Sequence, residues 1–446
     1  MKASVSAATG NRRQPDCRHA PATPRFAFHH PLMNPPSCRF CSAPLTRVMC
    51  DLGMSPLANS YVPFEDAGNA EKIYPLKVWV CGECLLAQLE EFESPEEIFS
   101  DYLYFSSYST SWVEHARRYA EMMIARFGFS SASRVVEIAS NDGYLLQHFK
   151  AAGIDVLGIE PAANVAAVAR ETHGIESVVK FFGVETARQL VADGQQADLL
   201  LGNNVLAHVP DINDFVGGLK IALKPEGVIT FEFPHLLRLL ELNQFDTIYH
   251  EHFSYLSFHA VEKIFARHGL ALFDVEELPT HGGSLRIFAR HAGCGSAATA
   301  ITGRVAAMLD KERAAGLTRM DTYESFGTRI RAVKRGLLEF LLGAAAAGKS
   351  VVGYGAAAKG VTLLNYCGVG ADLLDYVVDR SPHKQDHFLP GVRIPIHSPE
   401  RIAETRPDYI LILPWNLRDE IIGQLACVRD WGGRFVTPVP QLEIHD

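Results

Sequence analysis

Residues Arg134–Leu146, RVVEIASNDGYLL, decide the fold. Val135, Val136 and Ile138 make a buried strand, Ser140-Asn141-Asp142-Gly143 a tight turn, and Tyr144 to Phe149 the start of a helix. Ile154–Ile159 reads as a second strand ending in Glu160-Pro161. A strand, a small-residue turn, a helix and an acid at the tip of the next strand form a doubly wound nucleotide-binding unit. Its ligand lies at the carboxyl ends of the strands. Outward from there, Ala197–Gly202 is a strand ending in Asn203-Asn204, with His208 one turn further on. Lys224–Gly227 reads as a turn and Val228–Phe233 as the next strand. Ala271–Glu276 and Leu285–Ala289 follow, with His281-Gly282-Gly283-Ser284 between them. The succession predicts one α/β sheet of about seven strands.

The chemistry of that turn narrows its ligand. It lacks GxGxxG, and Glu137 and Asp142 would repel a pyrophosphate. They suit a ligand without phosphate that carries positive charge, namely S-adenosylmethionine with its sulfonium and amino group. Glu160 stands where it can accept hydrogen bonds from a ribose diol. Ala139, Asn141, Gly143, Leu145, Pro161, Asn203 and Asn204 complete the candidate cofactor set. An unusual NAD site is the alternative.

With 446 residues, the chain is long enough for two or three domains. A net charge of −9 leaves no basic footprint for nucleic acid. No run approaches the ~18 apolar residues of a membrane span. The first 36 residues carry Arg12, Arg13, Arg18 and Arg25 among many Pro and Ala, without the apolar centre of a secretory signal. They read as a disordered tail or an over-called start, since Met33 stands just before the first organised motif. Few cysteines, four of them in CxxC pairs, point to a reducing compartment and a cytoplasmic protein.

Cys38-Arg-Phe-Cys41 and Cys81-Gly-Glu-Cys84 can supply four thiolates to a tetrahedral, structural zinc. Their separation requires an extra hairpin between them; two redox CxxC motifs are the alternative. Cys17 and Cys50 look incidental. Asp101–Ser111, DYLYFSSYSTS, could line a pocket with hydroxyls or serve as a packed connector before a helix over roughly Trp112–Arg126.

Ile248–Ser257, IYHEHFSYLS, places two histidines, a glutamate and two tyrosines too close together for alternation to bury them all. Some must face a cavity. A helical connector covers roughly Ala298–Ala347, and its end, GAAAAGKS from Gly343 to Ser350, matches the P-loop pattern. Its context is reversed, with a helix before and a strand after, so it is rejected. The better phosphate site is Gly353–Gly360, which follows a strand and opens a helix. There the amides of Gly355, Ala356, Ala357 and Ala358 could cradle a pyrophosphate, with Lys359 adding charge. Asp379 and Ser381 sit at the tip of the following strand.

VVEIASNDGYLL, the two CxxC pairs, NNVLAHV, IYHEHFSYLS and HGGSLRIF, in this order, resemble the nucleotide-sugar C-methyltransferases from about Cys38 to the C-terminus. The resemblance implies a zinc-binding domain (37–100), a Rossmann-like class I methyltransferase domain (101–295), a connector (296–348) and a nucleotide-binding α/β domain (349–446). It implies methylation of a ring carbon, C3 by expectation, of a nucleoside-diphosphate-linked 4-keto-deoxysugar. His252 then matches the base, Glu251 and Tyr249 orient the sugar or polarise its oxygens, His208 assists, and Tyr104 contributes a hydroxyl. His250 receives no role. The expected partner is the nucleotide sugar, with no nucleic acid or membrane, in a monomer or small homo-oligomer. Three readings compete: an O- or N-methyltransferase, a zinc hydrolase using His250 and His252, and a non-catalytic sensor of the same ligands.

Overall fold

The strand Arg134–Ile138 is central in a seven-stranded sheet, with Asp155–Ile159 on one side and Ala197–Asn203 on the other, all parallel. The computed structural model describes residues 35–99 and 105–446, with Met1 and Ser4. Beyond Ala197–Asn203 lie Leu223–Pro234, Ser284–His291 and, at the edge, Leu270–Leu278, the last two antiparallel. Lys224–Gly227 is therefore not a free turn. Ala197 pairs with Leu223 and Leu199 with Val228, so the intervening residues are a bulge within one long strand. The helix expected from Tyr144 begins at Leu146, because Asn141 and Gly143 take left-handed backbone and prolong the turn. Gly143, at φ +81°, has no room for a side chain: a Cβ would stand 2.7 Å from Ile175.

The remaining sheets join distant parts of the chain. A four-stranded sheet orders Arg47–Ser55, Tyr74–Val80, Ala87–Gln88 and then Ser254–Tyr255, so the histidine-rich segment supplies its last strand. Arg47–Ser55 and Tyr74–Val80 are the antiparallel pair expected between the CxxC motifs. From the excursion between them, Val62–Pro63 crosses to the edge of the C-terminal sheet and pairs with His387–Phe388. That eight-stranded sheet has Val351–Tyr354, Val377–Val378, Tyr409–Ile412 and Arg434–Thr437 as its parallel centre. The long helix Phe326–Ala346 runs into Val351–Tyr354, which confirms the rejection of the P-loop look-alike.

Residues 36–446 form one compact unit. Met49, Val78, Leu89, Ile248, Ile330, Leu337, Val361 and Leu364 share one core, which spans the expected zinc module, connector and C-terminal domain. Cys38, Phe40 and Cys84 share another with Val136, Phe231 and Phe265. The connector is tied down by Glu312, which is fully buried. Its carboxylate accepts the His235 Nε2 proton at 2.7 Å and the amides of Phe258 and His259 at 2.6 and 2.9 Å.

The four CxxC thiols lie within 4.8 Å of one another. Cys38 and Cys84 Sγ are 3.6 Å apart and Cys41 and Cys81 Sγ 3.4 Å. Tetrahedral zinc with sulfur at about 2.3 Å needs sulfur pairs at nearly that spacing, so the set fits the metal. All four protein ligands are present and no position is left for chemistry. Gln88, buried in the same sheet, donates from Nε2 to Cys38 Sγ at 3.2 Å.

Two outcomes are expected. Glu312→Ala strands His235 and two amides and costs about 3–5 kcal/mol, read by urea denaturation. Paired Cys81→Ser and Cys84→Ser substitutions remove a tightly held zinc and lower the melting temperature, whereas His250→Ala leaves the zinc content unchanged by metal analysis.

Candidate active site

At the Ser140–Gly143 turn, Glu137 lies one residue before the end of its strand, fully buried, and among the described residues neither of its carboxylate oxygens has a hydrogen-bond partner. Burial, then Asp142 and Glu160, push its carboxyl well above the usual range. Asp142 Oδ1 is likewise buried without a partner. Buried carboxylate oxygens of this kind are costly unless a donor or cation meets them. Three acids around one turn therefore fit the sulfonium and amino group of S-adenosylmethionine and oppose a pyrophosphate. Glu160 is fixed from both sides, for its Oε2 accepts the Asn141 amide and its Oε1 the Ala162 amide, both at 2.9 Å. Ala139, Asn141 and Asn204 share left-handed backbone, and Asn203 reaches the Tyr144 hydroxyl at 3.5 Å. Pro161 is half-buried beside Glu160. Leu145 departs from expectation, because its side chain is fully buried in the core rather than at the turn.

The described part of the tyrosine- and serine-rich stretch, Phe105–Ser111, closes over this turn. The Ser106 amide donates to Asn141 Oδ1 at 2.8 Å, and the Ser107 amide and hydroxyl both donate to Asp142 Oδ2. Tyr104 lies outside the described residues. Trp112 and His115 on the next helix were missed by the sequence reading. Trp112 stacks on His115 with centroids 4.9 Å apart and meets His281 edge-on at 5.1 Å. His115 donates to Glu232, which also takes Arg286 and Thr280. An aromatic residue preceding a histidine on a helix gives no pattern that separates a site from a core.

The second cluster gathers around His252. Its ring lies 4.0 Å from Tyr249 and 4.7 Å from His208, centroid to centroid. Nδ1 is 2.8 Å from the Thr247 carbonyl, which can only accept, so Nδ1 carries the proton and Nε2 holds a lone pair. Burial, then His208, keeps the imidazole well below its ordinary range, and His208 itself is pulled to about 4 by burial. Behind His252, a cavity of about 20 Å³ is lined by His235, Ser254 and Tyr255. Among the described residues the buried His235 Nδ1, Ser254 Oγ and Tyr255 hydroxyl have no hydrogen-bond partner, and the space suits a single water. His250 turns away, with Nε2 3.2 Å from the Pro75 carbonyl and Tyr74 and Phe92 against its ring. The two histidines therefore have separate neighbours and form no metal pair.

Glu251 is buried and accepts from Asn59 Nδ2 at 2.6 Å. Burial raises its carboxyl to about 7 against the pull of Asn59 and Lys384. Asn59 and Tyr61 come from the excursion out of the N-terminal sheet, and Tyr61 donates to the Ala356 carbonyl at 2.5 Å. Lys384 donates to the same carbonyl at 2.8 Å. Neither Asn59 nor Tyr61 lies in a recognisable motif, and only the strand crossing at Val62–Pro63 explains their presence.

The C-terminal loop corrects one expectation. The Gly355 amide donates to the Val378 carbonyl at 2.7 Å, that of Ala356 to Asp379 Oδ2 at 2.8 Å and that of Ala357 to the Gly355 carbonyl at 2.9 Å. These amides are engaged within the protein, so the donors left for a ligand are those of the first turn of the helix Ala358–Cys367. Asp379 also accepts the Ser381 amide at 2.8 Å. Gly355, at φ +89°, lies against Pro414, where a Cβ would come within 2.5 Å. Lys359 does not extend over the loop. Nζ donates to Asn416 Oδ1 at 2.8 Å and lies 4.6 Å from the centre of the Trp415 ring.

Residues 38–99 match the family described as "Putative zinc binding domain", 112–275 "Methyltransferase domain" and 279–440 "C-methyltransferase C-terminal domain". C-methyltransferase NovU of Streptomyces niveus is 38% identical over 91% of this chain and 95% of its own length. A ubiquinone biosynthesis O-methyltransferase of Chelativorans sp. is 33% identical over 22% of this chain and 38% of its own. The CcbJ methyltransferase structure from Streptomyces caelestis covers 40% of this chain and 90% of its own, at 13% identity and TM-score 0.33. Among the described residues, no helix is long and apolar enough to cross a membrane. Full-length similarity to NovU, with the three domain families in order along one chain, makes this protein a member of the S-adenosylmethionine-dependent C-methyltransferase family.

Proposed function

We propose that the acceptor is a nucleoside-diphosphate-linked 4-keto-deoxysugar, methylated at C3 through an enolate generated by His252. The observation that carries the reading is the tautomer of His252, with Nδ1 committed to the Thr247 carbonyl and Nε2 presented as a base among Tyr249, His208 and Glu251. A sugar ring carbon becomes acidic only beside a carbonyl, and its deprotonation requires an unprotonated base. Bound S-adenosylmethionine supplies an electrophilic methyl group, and Glu137, Asn141, Asp142 and Glu160 are the residues that would hold it.

The protein's part is to orient the sugar and move one proton. Glu251, its Oε1 fixed by Asn59, orients a sugar hydroxyl with its second oxygen. Tyr249 packs the His252 ring from one side, and His208 meets it edge-on as an assisting group. The first turn of Ala358–Cys367 receives the diphosphate, with Asp379 and Ser381 at the adjacent strand tip. The nucleotide sugar is the one small-molecule partner this arrangement requires.

Two outcomes follow. With a 4-keto nucleotide sugar in D₂O, the wild type exchanges a ring proton adjacent to the carbonyl, and His252→Gln slows that exchange and turnover by about 100-fold or more. Absence of exchange in the wild type would exclude the enolate. The pH dependence separates the two side chains. His252 is competent when neutral, so kcat is full above its pKa and lost as pH falls through it, well under the ordinary histidine value. Glu251 accepts from the sugar when ionised, so KM rises as pH falls through about 7. Glu251→Gln removes that rise in KM and leaves the acid limb of kcat in place.

A further inference from the structure

Lys359 opens the helix Ala358–Cys367 but lies flat against Trp415. Trp415 is the junction of the cleft. Its Nε1 donates to Asp246 Oδ2 at 2.6 Å, one residue before the Thr247 carbonyl that fixes His252. Its ring edge would be 2.5 Å from a Cβ placed on Gly282, which follows His281. His281 has left-handed backbone and takes the Asn204 amide on Nε2 at 3.0 Å. The base segment, the His-Gly-Gly turn and Lys359 thus converge on one indole. The same helix donates from Thr362 Oγ1 to the Ile248 carbonyl at 2.8 Å, which fixes its register against the base segment.

The charge balance of this corner is specific. Asp246 is fully buried, its Oδ1 has no hydrogen-bond partner among the described residues, and Lys359 is the first group that draws its carboxyl down against burial. The lysine charge opposes protonation of both His252 and His281; burial draws the lysine's own pKa down, and Asp246 opposes that pull in favour of the charged form. An ammonium has three donors. Asn416 takes one, the Trp415 face attracts the charge, and a donor remains for a ligand.

Resting on the enolate reading above, we propose that Lys359 pairs with the oxyanion of the acceptor rather than with its diphosphate. In that step the ring C–H bond breaks and its proton passes to His252 Nε2. The C–H electron pair becomes the C=C bond, and the carbonyl π pair moves to oxygen, where the Lys359 ammonium meets it. That pair returns to re-form the ketone as the carbon–methyl bond forms and the sulfur–methyl bond breaks. A preorganised cation in a water-poor cleft stabilises charge that exists only after deprotonation, which accelerates the reaction without tightening ground-state binding.

The test uses the full-length, zinc-loaded protein with dTDP-4-keto-6-deoxyglucose and its GDP-linked mannose counterpart as probes, following ring-proton exchange in D₂O by NMR. Lys359→Met, close in length and uncharged, should cut the exchange rate at saturating sugar by about 100-fold, with dTDP or GDP affinity within about twofold of wild type. Added ethylammonium should restore part of the rate to Lys359→Ala, a rescue that a merely structural lysine would not give. Unchanged exchange at saturation, or weakened nucleotide binding with an unchanged saturated rate, would overturn the assignment while leaving the base intact. Exchange absent from the wild type with both sugars would instead remove the enolate reading itself. If Lys359→Met unfolds, the alkylammonium series on Lys359→Ala decides, and failure of rescue counts against the proposal.

Discussion

Two backbone pairings, Ser254 with Gln88 and Tyr255 with Ala87, join the segment that carries His252 to the metal-holding sheet. The Leu89 amide adds a bond to the Phe253 carbonyl at 3.0 Å. A strand of two residues cannot hold its register alone. Here the register is imposed by Gln88, whose side chain accepts the Arg39 amide and donates to Cys38 sulfur inside the thiol cluster. Arg39 in turn donates to the carbonyls of Pro210 and Leu89, so the first knuckle is clamped between methyltransferase domain and sheet. The zinc site does no chemistry in this arrangement, yet a one-residue slip at Gln88 would reverse the facing of Ser254 and Tyr255.

The two α/β units use one electrostatic device twice. Glu160 stands at the tip of the second strand of the first unit, and Asp379 at the tip of the corresponding strand of the other. Each accepts an amide from the turn after the preceding strand and another from two residues beyond itself. A carboxylate on a turn amide makes the middle of that turn a poor anion site. In the first unit this agrees with a cationic ligand. In the second it moves anion binding toward the helix N-terminus. Lys384 bonds the Ala356 carbonyl of that turn and lies 3.9 Å from Asp379, whereas Lys359 rests on Trp415.

Local pattern revealed what is local. RVVEIASNDGYLL specified the parallel sheet, because a buried strand, a turn and an acidic tip are all written within one stretch of chain. The CxxC spacing identified the thiol cluster for the same reason. His252, Tyr249 and His208 do lie together, and the sequence alone could separate His252 from His250 only through family resemblance. What was not legible depends on strand pairings between remote segments. Val62–Pro63 pairs with His387–Phe388 and so carries Asn59 and Tyr61 to Glu251 and Ala356. The Lys224–Gly227 bulge was misread because a Pro-Glu-Gly run signals a turn whether or not the strand resumes beyond it. The amide of Ala356 looked free because nothing in GYGAAAKG reveals that Asp379 returns to it, and that of Ala357 because the run does not show that the chain folds it onto the Gly355 carbonyl.

These crossings bear on the chemistry of the cleft. The Thr247 carbonyl that selects the His252 tautomer belongs to the central segment, the Asn59 that holds Glu251 to the N-terminal excursion, and the Trp415 that carries Lys359 to the C-terminal unit. Assembly excludes water from the same groups, and burial is the largest influence on His252, His208, His281, Glu251 and Lys359 alike. Loss of water favours neutral imidazoles, which can accept a proton, and it strengthens any charge that persists. Lys359 has a buried counter-charge in Asp246, whereas at His252 burial, His208 and the Lys359 charge all oppose protonation and the Thr247 carbonyl favours it. Burial thus favours an uncharged imidazole at His252, while at Lys359 it works against the ammonium and Asp246 opposes it, the pairing that the proposed deprotonation beside a carbonyl would use.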